Sequence, residues 1–297
     1  MIYLRSFELA HKGDEDGFCL SYPAQLEMAC YDNNNVYPFK IFPQKSLELL
    51  TFEPITILYG KNGSGKSTLL NLIAEKLRLS RVSHFNYAPC MPDYLALTKY
   101  SLASGVYKIP PESRIITSDD VFDFLLDLRA INAGIDNKRE ELFREYNETR
   151  DCLYSKTPFR SLDDLEQLRR QNEAKHKSKS QYTAKRLPKE IRTKSNGESA
   201  YAYFTEKINE NALYLLDEPE NSLSAELQIE LSKFISDSAR FYGCQFIIST
   251  HSPFLLATAG ALIYDLDCRP VSKKRWTELE AVRTYYDFFE SHRSEFR

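Results

Sequence analysis

Apolar and polar positions along this chain fall into three rhythms. Over Met1 to Glu8 they alternate, the period of a half-buried strand. Short β-like runs continue through the first fifty residues, broken by turn signals at His11 to Gly17, Asp32 to Asn35, Pro38 and Pro43, and together they predict an antiparallel β-layer ahead of residue 55. A second rhythm is the short unbroken apolar run, the form of a strand buried on both faces: Ile55 to Tyr59, Ala212 to Leu216, and Phe246 to Ile248. The third is helical. Leu69 to Ala74 follows the first apolar run, and Leu223, Leu227, Leu231, Phe234 and Ile235 mark the packed face of a crossover helix between the second and third. From Asp119, the residues Leu128, Ile131, Ile135, Leu142, Tyr146 and Leu153 recur at helical spacings, with Gly134 a weak point. A further helix follows the turn at Thr157-Pro158, with Ser161 as its N-cap. Between the first helix and about Ile116 the pattern is β-like or irregular. The prediction is an α/β fold: a mixed or parallel central sheet, an N-terminal antiparallel β-layer and a helical insertion.

The chemistry stands at the ends of the apolar runs. Behind Ile55 to Tyr59 comes Gly60-Lys61-Asn62-Gly63-Ser64-Gly65-Lys66-Ser67-Thr68, a complete G-x-x-x-x-G-K-[ST] phosphate-binding loop. Glycines let the main-chain N–H groups turn inward onto phosphate oxygens, and the helix that opens at the loop points its positive end at the same anion. In this pattern Lys66 reaches the β- and γ-phosphates, Ser67 ligates Mg²⁺, and Thr68 with the loop amides of Asn62, Gly63, Ser64 and Gly65 holds the remaining oxygens. A strand before and a helix after make a chance match improbable. The second run ends in Asp217-Glu218. Asp217 is expected to hold Mg²⁺, directly or through water, and Glu218 to orient and deprotonate an attacking water. The third run ends in Ser249-Thr250-His251. A lone histidine is more often a satisfied core residue, but one at the end of a neighbouring strand is placed to sense a γ-phosphate by hydrogen bonding.

Composition narrows the setting. The chain has 297 residues and a formal net charge of −3, and no stretch approaches the roughly 20 apolar residues of a membrane span. Its start reads as a strand and not as a secretory signal, which predicts a soluble, cytoplasmic protein. Six cysteines (Cys19, Cys30, Cys90, Cys152, Cys244 and Cys268) are scattered without C-x-x-C pairs, so reduced thiols are expected instead of a zinc site or disulfides. Residues 169–194 carry ten Lys or Arg against two Glu. Such a run is most often a solvated connector; the sharper alternative is a contact to the phosphate backbone of DNA or RNA.

The motifs in combination resemble the ABC-type ATPase family, in its soluble SMC-, RecF- and overcoming-lysogenization-defect-like branch without a TOPRIM domain. They are the loop at 60–68, Ser195-Asn196-Gly197-Glu198-Ser199 as a degenerate signature ahead of a helix from Ser199 to Asn209, Leu215 to Leu223, and Ser249 to Phe254. The resemblance implies ATP and Mg²⁺ as ligands, and an N-terminal lobe at 1–118, a helical insertion at 119–194 and a C-terminal lobe at 195–297. It further implies that Ser195 and Gly197 of one copy meet the γ-phosphate held by Lys66 of another, in an ATP-dependent C₂ homodimer that acts as a switch on DNA or a partner protein, in a repair or anti-phage role. The alternatives are the nucleotide-binding subunit of an ABC transporter and a non-catalytic, nucleotide-gated scaffold. Departures from the family pattern are clear. No Gln lies between Gln44 and Gln167, leaving Ser118 or Asp119 in its place; Ser224 stands where an acid often closes the loop; and Tyr37, Phe39 and Phe42 are the candidates to stack on adenine, with core packing the commoner fate of each.

Overall fold

The computed structural model describes residues 1–21, 37–83, 85, 88–151 and 195–296. The chain divides into two compact units, Met1–Phe122 with Asn196–Arg297, and Asp123–Ser195.

In the first unit the three unbroken apolar runs lie side by side. Strands β3 (Ile55–Tyr59), β6 (Leu213–Asp217) and β7 (Gln245–Ser249) occupy the middle of a six-stranded sheet of order β5-β6-β7-β3-β8-β9, with β5 (Arg114–Thr117), β8 (Leu262–Asp265) and β9 (Ser272–Lys274) outside them. All neighbours are parallel except β8 and β9. Every residue of β3 and β7 is buried, which is why these segments lack polar alternation. The register pairs Asp217 with Ser249 and Leu58 with Ser249, so the loops that leave the three central strands emerge along one edge.

Two helices matter for the site. Helix α2 (Lys66–Leu77) begins directly at the glycine-rich loop, and its Leu69, Leu70, Leu72 and Ile73 are fully buried. Helix α6 (Ala225–Phe241) returns the chain from β6 to β7 and packs with Leu231 and Ile235. Ahead of them in sequence is α1 (Lys12–Ser21), between them run α3 (Met91–Leu97), α4 (Ser118–Asp151) and α5 (Asn196–Lys207), and after them come α7 (Pro253–Leu256) and α8 (Glu280–Ser291). Numbering follows chain order.

The antiparallel β-layer exists but is assembled differently from expectation. It is the three-stranded sheet β2 (Leu49–Thr51), β1 (Leu4–Glu8), β4 (Lys99–Leu102), whose last strand comes well after the phosphate loop. One attachment to the central sheet is Gln245, wholly buried at the start of β7: Oε1 accepts from the Tyr3 and Leu4 amides at 2.8 and 2.9 Å, and Nε2 donates to the Leu4 and Glu53 carbonyls. His11 to Gly17, expected as a turn, instead opens α1. Asp14 and Glu15 sit in its first turn, favourable to the dipole, and buried Glu15 accepts from the Lys40 amide at 2.7 Å. The helix predicted from Asp119 is α4, unbroken through Gly134; Ile135 and Leu142 are buried on it while Ile131 is exposed. Ser161, the segment after Thr157-Pro158, Leu153 and the basic run at 169–194 lie outside the described residues.

Candidate functional site

The phosphate loop is shaped by its own backbone. Gly63 and Gly65 have φ of +79° and +94°, in the left-handed region that side chains rarely adopt, and a Cβ on Gly65 would press on Ile41 and Phe42. Gly60 is closed in equally: a Cβ there would lie 2.5 Å from Ser64 Oγ. Asn62 and Gly63 are exposed at the loop tip, whereas Ser64 and Lys66 are buried. Thr68, in the first turn of α2, accepts a hydrogen bond from the Tyr37 hydroxyl at 2.9 Å. Of the three aromatic residues weighed for adenine, Phe39 and Phe42 belong to the hydrophobic core, where Phe39 stacks on Phe18 and meets Tyr94 edge-on.

Lys66 is held inward. Its Nζ donates to the carbonyl of Gly60 at 2.7 Å and approaches Nε2 of His251 at 2.8 Å. With Lys66 as the ammonium, Nε2 accepts and the ring proton of His251 sits on Nδ1. Burial pushes the Lys66 amine below its ordinary value, against the pull of the Glu218 and Asp217 carboxylates. Glu218 Oε1 lies 3.6 Å from the same histidine nitrogen, within ion-pair reach but too long for a hydrogen bond. Thus β3, β6 and β7 each deliver one of Lys66, Glu218 and His251 to one place.

Beside them Ser67 Oγ donates to Asp217 Oδ1 at 3.1 Å. These two oxygens are the donor pair a Mg²⁺ ion takes from a protein when phosphates and water complete its shell. A hydroxyl and a carboxylate oxygen so paired are hard donors, so the residues fit the ion, and burial raises the Asp217 carboxyl above its ordinary value. Glu218 follows with φ of +48°, a strained value for a glutamate; its amide, donating to the Ser249 carbonyl at 2.9 Å, ties that conformation to the neighbouring strand.

Two carboxylates complete the site that the motif reading passed over. Glu220 Oε1 accepts from the amides of His251 at 2.6 Å and Ser252 at 3.2 Å, so it sets the backbone that carries the histidine. Asp267 accepts from the Lys61 amide with both oxygens, at 3.0 and 2.9 Å, and so grips the start of the phosphate loop. The sequence carried a signal for Asp267: β8 is a fourth apolar run ending in acidic residues, Asp265 and Asp267.

The signature segment is arranged otherwise than expected. Helix α5 begins at Asn196, not Ser199, so Gly197 and Glu198 belong to its first turn and exposed Ser195 precedes it. A Cβ on Gly197 would lie 2.9 Å from Leu227 Cδ1 and 3.3 Å from the Ser222 carbonyl, so the glycine lets α5 close on the start of α6 within its own chain. Ser224, at the position of the missing acid, is the N-cap of α6 and accepts from the Leu227 amide. Next to Ser118 and Asp119, buried Asp120 accepts from the amides of Ser83 and Thr117, both at 2.7 Å, and so ties the end of β5 to the start of α4.

Residues 194–256, which span the signature segment, Asp217, Glu218 and His251, match the family model of the AAA ATPase domain. Over that segment the chain is similar to the AAA ATPase domain. The fold is a mixed α/β one in which the phosphate-binding loop runs from β3, inside the sheet, straight into α2. No curated protein matches the chain. Among solved structures the chain resembles the Smc head domain with an extended coiled coil bound to the C-terminal domain of ScpA from Pyrococcus furiosus, at 16% identity over 99% of this chain and 100% of that one, with a TM-score of 0.42. It also resembles the SmcHead bound to the C-winged helix domain of ScpA, at 17% identity over 76% of this chain and 92% of that one, with a TM-score of 0.36. Among the described residues no helix is long and apolar enough to cross a membrane.

Proposed function

We propose that this protein is a cytoplasmic ATPase that binds ATP with Mg²⁺ at the loop 60–68 and hydrolyses it. The observation that carries the reading is the convergence of Lys66, Asp217, Glu218 and His251 at the ends of three adjacent strands. Lys66 exchanges its contacts with the Gly60 carbonyl and His251 for the β- and γ-phosphate oxygens, and the loop amides with Thr68 cradle the rest. Ser67 and Asp217 hold the Mg²⁺, which neutralises charge on the phosphates when bound. Glu218 takes the proton of the attacking water, and His251, released by Lys66, hydrogen-bonds the γ-phosphate. The resemblance to ABC-type ATPases, with a serine hydroxyl ahead of a helix start as an anion site, supports the further proposal that Ser195 and the first turn of α5 act on the nucleotide of a second copy in a C₂ homodimer. ATP then governs a switch whose target is DNA or a partner protein, in a repair or anti-phage role.

The test is steady-state hydrolysis by wild type and Glu218→Gln. Loss of the base predicts a fall in kcat of about 10²–10⁴ with nucleotide binding retained. Equal, slow turnover by both proteins would leave a nucleotide-gated scaffold instead of an enzyme.

A further inference from the structure

A cavity of about 640 Å³ shares Glu218 and His251 with the chemistry above and is otherwise lined by residues that chemistry does not use. One wall is helix α8, whose Val282, Tyr285, Tyr286 and Phe289 stand at i, i+3, i+4 and i+7 and so form one stripe facing it. Phe254 and Trp276 supply two more rings from outside that helix. This much aromatic surface is rarely left in water: Tyr286 is 59% exposed and Phe289 53%, and both border the cavity.

The remaining wall decides the kind of occupant. It holds the carboxylates of Glu218 and Glu220, and neither lysine nor arginine lines the cavity among the described residues. Glu220 spends one oxygen on the His251 and Ser252 amides, while Oε2 is buried without a hydrogen-bond partner among the described residues. An anionic ligand would meet two carboxylates. An apolar helix laid over the stripe would cover the same carboxylates without a counter-charge, which is costly. A hard, hydrated metal ion gains nothing from aromatic rings. A guanidinium satisfies every part of the wall: it is weakly hydrated, stacks flat on aromatic faces, and brings donors and positive charge to carboxylates.

We propose that the cavity beside Glu218 is a receptor for an arginine side chain presented by a partner protein, with the aromatic residues of α8, Phe254 and Trp276 stacking on the guanidinium and the Glu218–Glu220 loop supplying the negative charge. This site needs no nucleotide, so its test is separate from that of ATP hydrolysis. A bound arginine would stand beside Glu218, which gives the partner a direct means of influencing that residue.

Trp276 is the chain's single tryptophan and lines the cavity, so its fluorescence reports the occupant directly. The intact protein is titrated without nucleotide with N-acetylarginine amide, its neutral isostere N-acetylcitrulline amide, N-acetylleucine amide and spermidine. The expected result is a saturable change with the arginine amide at a concentration at least about tenfold below that needed for citrulline or leucine, from the combined stacking and charge terms. Tyr286→Ala, at an exposed position, weakens arginine amide binding and Tyr286→Phe retains it. Equal affinity for citrulline or leucine amide would overturn the proposal in favour of an apolar groove, and tighter binding of spermidine would make the site one for free polyamines. Absence of any saturable response to the arginine amide would also overturn it.

Discussion

His251 stands where three interactions meet: its ring accepts a hydrogen bond from Lys66, its amide is held by Glu220, and Glu218 lies within ion-pair distance. The phosphate loop, Asp217 and Glu218 were legible from residues alone because their chemistry sits in contiguous motifs. Glu220 was not, since its role depends on an amide thirty-one residues away that only folding brings near. We expect Glu220→Ala to lower kcat by about 10–100-fold through loss of the bonds that set His251, and Glu220→Gln, which keeps an acceptor, to recover most of it. If Glu220 acts through the histidine, its removal costs little more in a His251→Ala background, and a double-mutant cycle by steady-state kinetics reads that coupling. Asp217 offers a stability test. Its carboxyl is raised by burial, so the ionised form costs folding stability, and that cost fades as pH falls through the folded value. Asp217→Asn is therefore expected to stabilise the ligand-free protein by about 1 kcal/mol near neutral pH, by thermal melting, with the gain shrinking on acidification and hydrolysis lost.

Elements differed in how openly the sequence announced them. Strands β3, β6 and β7 are short apolar runs followed by polar motifs, and their length of five residues with those flanks favours strands buried on both faces over buried helix. Helix α1 was hidden because Gly13 and Gly17 resemble turn residues, and the bond from the Lys40 amide to buried Glu15 on it joins positions that only folding brings together. Sheet β2-β1-β4 was only half visible, since its strands are three to five residues long and β4 pairs with β1 across more than ninety positions. Gln245 helps fasten β1 to the central sheet, and a polar residue opening an apolar run gave no hint of that. Gln245→Leu keeps the bulk but orphans the Tyr3 and Leu4 amides, so a loss of at least about 2 kcal/mol is expected from the denaturation midpoint.

For the whole molecule the question is what completes the site. The signature segment packs through Gly197 onto α6 of its own chain, and Ser195 is exposed ahead of α5. Under the proposed composite arrangement, Glu218→Gln should accumulate a dimer in ATP because hydrolysis no longer releases it, whereas Lys66→Ala should stay monomeric. Light scattering with and without ATP reads the mass, and a monomer under every condition would remove the composite arrangement while leaving hydrolysis by a single copy open to the kinetic test.

By itself the sequence determined the phosphate loop, the acidic strand end and the α/β class, because these follow from local rules: glycine's conformational freedom, the helix dipole, and the lack of alternation in a strand buried on both faces. Only the tertiary structure decided which distant groups share a space. It brought Lys66 to His251, Glu220 to the histidine's amide, Asp267 to the loop, and an aromatic helix to the wall beside Glu218. Those contacts depend on strand order and on how helices pack across the sheet, and neither is written in any single stretch of chain.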